Sequence, residues 1–280
     1  MVSPLGVLLG NSWSFFRRAF MAILVGAVLF GLILGVTQSL IGQRAVRQTE
    51  SALEDIGINM QQMQDIQQRI QAGDQAAIEE FFGAMPEFDT AEEAESMANS
   101  MASAYRNLLP AIGVSMLIIW LISLIASAYF LLIALNENVT PQDALVRVPG
   151  LIIPLFLLSL WIFVRTFMWI PFIGIITGII LGPRFILSPV LLVRDRKGVI
   201  ESAKLSYAKT SGFWGKILGN VIVAAILALV AQMVAGFILG LLGMRLAGIL
   251  LPVVQMLASA FLLIFMVKLA LTVEQNPQKG

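Results

Sequence analysis

Apolar runs and polar stretches alternate along the chain, and the alternation sets the architecture. Six runs are long and nearly free of charge: 19–42, 108–135, 150–169, 172–193, 217–242 and 246–268. At 1.5 Å of rise per residue, about 20 apolar residues cross the hydrocarbon core of a bilayer. The pattern predicts an all-α, polytopic transmembrane helix bundle of six spans, with interfacial amphipathic helices and an extracytoplasmic helical insert. It divides into 1–42 (interfacial helix and first span), 43–107 (insert) and 108–280 (five further spans). The first run is too long for a signal-peptide core, and no small-residue cleavage site follows it at 40–43, so it reads as an uncleaved span.

Within the runs, small residues recur every four positions at Ala27, Gly31 and Gly35, and again at Gly174, Gly178 and Gly182. Such stripes let another helix approach closely. Residues 4–16 interleave Ser, Asn and Trp with apolar residues and end on Arg17 and Arg18, which predicts a short helix lying at the membrane surface. Thr140, Pro141 and Asp143 supply a cap, a first-turn proline and an acid for a helix start.

Residues 43–107 differ in kind. They hold twelve acids and four arginines, a net charge of −8. Leu53, Ile56, Met60, Met63, Ile66 and Ile70 recur at helical spacing. Gly73 interrupts that helix, Asp74 caps a short one ending at Gly83, Pro86 sits in a turn, and Thr90 with Glu93 forms a capping box for a third. This third helix is expected to run into the second span, bending at Pro110. The segment reads as a solvated spacer or cap.

Composition narrows the chemistry. Of the 280 residues 58% are hydrophobic and 12% charged, with mean hydropathy +0.88 and net charge +1. Histidine and cysteine are both absent. This removes the commonest general base and metal ligand, along with disulfides and thiolate sites. No metal site, cofactor, catalytic residue or nucleic-acid partner is expected. Ser206 and Lys209 spell S-x-x-K, but the companion motifs of serine acyl-enzymes are missing.

Orientation follows from lysine and arginine near span ends. With the N-terminus inside, the inner segments hold Arg17, Arg18, Arg147, six basic residues in 194–216, Lys268 and Lys279, and the outer ones hold Arg44, Arg47, Arg69, Arg106 and Arg245. Both termini are expected in the cytoplasm of a bacterial-type inner (plasma) membrane.

The most informative stretch is 184–219. Arg184 lies inside the fourth run between Pro183 and Pro189, no acid occurs in any of the six runs, and an arginine at mid-span costs about 2.5 kcal/mol or more. Arg184 therefore meets a lipid phosphate or another anionic group between helices, or else it meets carbonyls freed where the prolines break the helix or snorkels to the interface. With Arg194, Arg196, Lys197, Lys204 and Lys209 it forms the candidate lipid-phosphate contact. Arg165 reads as snorkelling from the end of its span.

Ser12-Trp13 precedes Phe20 as Ser206-Tyr207 precedes Trp214, with the same spacing, and Thr140–Arg147 stands in the corresponding place before the third span. Three parallel units are expected, each an interfacial helix followed by a helical hairpin. Arg184, Pro189, Gly198, Ala203, Ser206-Tyr207, Phe213-Trp214 and Gly219 resemble a bacterial multi-span membrane domain. That domain is found fused to some glycerophosphodiester phosphodiesterases and alone in uncharacterised inner-membrane proteins. The resemblance is strongest over 180–240 and implies membrane architecture. It does not import the phosphodiesterase reaction, which belongs to a soluble barrel with acids and histidines that this chain lacks.

Two functions follow as expectations. The first is a non-enzymatic membrane protein acting through contact with anionic lipids, or through assembly with protein partners or further copies of itself. The second is a transporter or flippase for an amphiphilic anion, with Arg184 in the path. An unbroken hydrophilic cavity at Arg184 favours the second and a solid bundle the first.

Overall fold

A computed structural model describes residues 4–54, 60–71, 73–83, 91–136, 138–167, 177–241 and 243–275. Among these residues every regular element is helical and there is no strand. The order is α1 (Leu5–Arg18), α2 (Phe20–Glu54), α3 (Met60–Gln71), α4 (Ala76–Gly83), α5 (Ala91–Leu135) and α6 (Pro141–Phe167). Then come α7 (residues 177–181), a 3₁₀ turn (Gly182–Phe185), α8 (Ser188–Arg194), α9 (Val199–Lys209), α10 (Trp214–Leu241) and α11 (Met244–Gln275). Among the described residues six stretches are long and apolar enough to cross a membrane: Phe20–Gln43, Ile112–Leu135, Pro141–Thr166, Thr177–Arg194, Trp214–Leu241 and Ala247–Gln275. They correspond to the six runs of the sequence. The third starts earlier than expected and the sixth ends later.

The chain forms two compact units, residues 36–119 and residues 1–35 with 120–280. In the first, Gly73 takes φ +87°, which turns the chain between α3 and α4. Asp74 accepts the Ala76 N–H at 3.0 Å, as the capping pattern predicts. Arg69 donates to Asp74 (3.0 and 2.8 Å) and to Glu80 (2.6 Å), tying the two helices together over the buried Ile66 and Ala77. The Arg69 hydrogen bond holds the Asp74 carboxyl below its ordinary pKa. Pro86 and Thr90 lie outside the described residues. The helix expected after them is α5, which continues through Pro110 to Leu135.

The larger unit packs on small residues. Ala27 is fully buried, and a Cβ on Gly31 would come within 2.7 Å of the Val253 Cα. At Gly35 the close neighbour is Pro252, at 3.1 Å. The first small-residue stripe is therefore a close crossing of α2 and α11. The space a Cβ would need on Gly26 is filled by the Tyr129 ring, whose hydroxyl donates to the Ala22 carbonyl at 2.7 Å. Of the second stripe, only Gly182 can be placed in this way. Gly174 is outside the described residues, and no described atom lies within 4 Å of a Cβ built on Gly182, which opens the 3₁₀ turn. On α10 few residues are covered: Met233 is 67% exposed and Phe237 70%. A run of such side chains on one helix suits hydrocarbon, not water.

The fourth apolar stretch is broken where its prolines stand. Pro183 sits in the first turn of the 3₁₀ segment and Pro189 in the first turn of α8. Each lacks an N–H and crowds the carbonyl four residues back, which weakens the α-helix where the 3₁₀ turn replaces it. Of the three expected interfacial helices, α1 and α9 are separate. Each buries a serine, Ser12 or Ser206, and each precedes a long apolar helix. The third expectation is corrected. Residues 140–147 are not a helix of their own but lead into α6, because Ala144 and Val148 are buried and hold the first turns in line with the rest. The predicted cap is there: Thr140 Oγ1 accepts the Asp143 N–H at 3.2 Å and donates to its carboxylate at 2.7 Å.

Candidate functional site

The site is built around the break. Leu187 N–H donates to Ser206 Oγ at 3.1 Å, and Ser206 Oγ donates to the Arg184 carbonyl at 2.7 Å. Thr210 Oγ1 stands 3.0 Å from the same carbonyl and 2.8 Å from the Ser206 carbonyl, and its single proton serves one of them at a time. Two hydroxyls, one on α9 and one at its C-cap, thus satisfy backbone groups left open at the break, a requirement inside a bilayer. To reach them α9 doubles back from the end of α8 to the level of Arg184.

This fold-back forms a cavity of about 470 Å³ lined by α6, the broken span and α9. Trp161 and Arg165 face it from one side of α6, one turn apart. Leu181 and Phe185 come from the broken span. Ile200, Ala203, Lys204 and Tyr207 share one face of α9. The rings form a continuous wall: Trp161 meets Phe185 edge-on at 5.7 Å, and Phe185 lies 6.1 Å from Tyr207. Two cations, Arg165 and Lys204, enter this space. Among the described residues no acid lines it, and neither cation makes an ion pair with one of them.

Arg184 is not part of the lining. Its guanidinium carbon lies 4.6 Å from the centre of the Tyr207 ring, a cation–π contact of about 0.5–2 kcal/mol. Its Nε is buried without a hydrogen-bond partner among the described residues. Arg184 backs the aromatic wall, while Arg165, assigned from the sequence to snorkelling, lines the cavity.

The remaining candidates lie apart and are mostly neutralised. Arg194 and Lys209 both donate to Glu274 near the end of α11, each at 2.7 Å. Arg194 also pairs with Asp195 at 2.7 Å, and Lys197 pairs with Glu201 at 2.8 Å. The Arg194 hydrogen bond holds the Asp195 carboxyl below its ordinary pKa. Arg196 is exposed at φ +52°. The six candidates therefore divide: Lys204 faces the cavity, Arg184 stacks behind it, Arg194, Lys197 and Lys209 are paired, and Arg196 is exposed. Among the described residues no cluster of acids, histidines or cysteines could hold a metal ion.

Two further cavities lie elsewhere in the same unit. One, of about 380 Å³ between α5, α6, α8 and α11, is lined in part by Ser123, Ser127 and Ser159. The other, of about 400 Å³ between α1, α10 and α11, is nearly all apolar around Trp13, Phe16 and Phe261.

Six membrane-length apolar stretches in an all-helical bundle define a multi-pass integral membrane protein. No family model, curated protein or solved structure matches the chain.

Proposed function

We propose that this protein works by holding an anionic amphiphile, a lipid of the surrounding bilayer, in the cavity between α6, the broken fourth span and α9, and that it catalyses no reaction. One observation carries this reading: Arg165 and Lys204, on two helices, both line an aromatic cavity that has no acid among its described lining residues. Both are exposed and lack an ion-pair partner among the described residues, which leaves room for an external counter-charge. Lipid phosphate supplies it, and the Trp161, Phe185 and Ile200 side chains suit the tails.

The protein resides, on this reading, in a bacterial inner membrane with both termini cytoplasmic, as the lysine and arginine distribution suggests. Kinship with the multi-span domain fused to phosphodiesterases is part of the same proposal. It is supported by the role that Arg184, Pro189 and Ser206, three of the resembling positions, share at the helix break. The bare face of α10 leaves room for lipid or a protein partner.

The test is lipid retained through purification in mild detergent, quantified by mass spectrometry. Wild-type protein should carry anionic lipid, and Arg165→Gln/Lys204→Gln should lose most of it while unfolding at the same temperature. Equal retention by the two proteins would refute the reading.

A further inference from the structure

The cavity also constrains the headgroup, and this inference rests on the lipid-holding reading. The Arg165 guanidinium is a planar fork suited to two oxygens of one phosphate, while the Lys204 ammonium is a compact charge that takes a third. Two positive charges are brought to one site with no lining carboxylate. A phosphodiester offers one negative charge and two terminal oxygens. A phosphomonoester offers three terminal oxygens and, above its second pKa of about 6, close to two charges. Only the monoester matches both the number of charges and the number of oxygen contacts.

The lining argues for a tail on that phosphate. Trp161, Leu181, Phe185 and Ile200 leave most of the wall apolar, and about 470 Å³ falls within the ~300–1,000 Å³ typical of ligand sites. Arg184 strengthens the arrangement from behind, since its charge sits against the Tyr207 ring. We infer that the ligand is a phosphomonoester, its phosphate held between Arg165 and Lys204 and its hydrocarbon lying along the aromatic wall. Phosphatidic acid represents the membrane source of this chemistry and glycerol 3-phosphate the soluble one.

The experiment uses the full chain in nanodiscs of phosphatidylcholine at pH 8. Either dioleoyl phosphatidic acid or dioleoyl phosphatidylglycerol is titrated in, and bound lipid is counted by native mass spectrometry. Phosphatidic acid should bind about tenfold more tightly than phosphatidylglycerol. Arg165→Gln/Lys204→Gln should abolish that preference, and Arg165→Lys should weaken it by removing the fork. Arg147→Gln, at an exposed cation away from the cavity, should keep it. Thermal unfolding of every variant separates lost binding from lost fold.

Equal affinity for the two anionic lipids would overturn the monoester assignment while leaving the lipid-holding reading intact. Binding of neither lipid above the phosphatidylcholine background would overturn both. Displacement of phosphatidic acid by millimolar glycerol 3-phosphate would overturn the membrane source in favour of a soluble phosphate.

Discussion

The cations in the middle and at the end of α9 meet opposite circumstances. Lys209, with Arg194, reaches Glu274, which is only 19% exposed and is tied to both at 2.7 Å. Lys204, little more than a turn earlier, lines the same cavity as Arg165, with no acid among the described lining residues. The paired set closes the end of the bundle, tying α8, α9 and α11 together. The unpaired set holds positive charge open to an incoming group. Charge in or near a membrane is costly enough that its pairing state separates scaffold from site.

The largest effect should come from the unpaired set. Arg165→Gln/Lys204→Gln should weaken anionic-lipid binding about thirtyfold, from ~1 kcal/mol per basic residue, and shift the unfolding midpoint little. Titration of lipid into nanodiscs, with thermal unfolding alongside, checks both halves.

Ser206→Ala should be the most damaging single change to the fold. Thr210 can still donate to the Arg184 carbonyl, but Leu187 N–H loses its acceptor, and an orphaned N–H in that setting costs about 1–3 kcal/mol. The unfolding midpoint in detergent should fall, and binding should weaken with it because Tyr207 and Lys204 ride on α9. An unchanged midpoint would show that the break holds without Ser206.

Glu274→Gln should cost less, about 1 kcal/mol, because Arg194 keeps Asp195 and the pairs are partly exposed. It should leave lipid binding unchanged, since Glu274 does not line the cavity. A loss of binding without a loss of stability would erase the distinction between the two sets.

The smallest effect is that of pH on Asp195. Its folded pKa lies below the ordinary carboxylate value of 3.8, so its contribution is complete above that value and fades as pH falls through the folded one. Stability from this pair should be flat from pH 5 to 8 and decline only below about pH 4. Asp195→Asn should flatten the acid limb of the curve.

Much of the fold could be read from the sequence because membrane spans, helix caps and small-residue crossings are local patterns. The Thr140 cap, the Gly73 turn, the Asp74 cap and the Gly31–Val253 approach all follow from residues a few positions apart or from one repeating face. Prolines 183 and 189 announced the break. What the sequence did not reveal was where the freed backbone groups find partners. Ser206 lies 22 residues from Arg184, and no periodicity links them. Without that link 194–216 looks like a flat basic surface, and Lys204 has no reason to meet Arg165. Glu274 was hidden in the same way. The sixth apolar run was expected to end at 268, whereas α11 continues to Gln275 with Leu269, Ala270 and Val273 buried, carrying the acid to Arg194 and Lys209. The apolar spacing of those three residues was the available signal.

The absence of cysteine from the chain permits one direct test. Ile200 lines the cavity and is 53% exposed, so Ile200→Cys places a single thiol at its mouth. Val146→Cys, at a position 80% exposed and outside the cavity, serves as the reference. In nanodiscs, phosphatidic acid should slow maleimide labelling at position 200 severalfold and leave position 146 unaffected, with the protection lost when Arg165 and Lys204 are both glutamine. Labelling at position 200 that proceeds at the same rate with and without anionic lipid would contradict an occupied cavity.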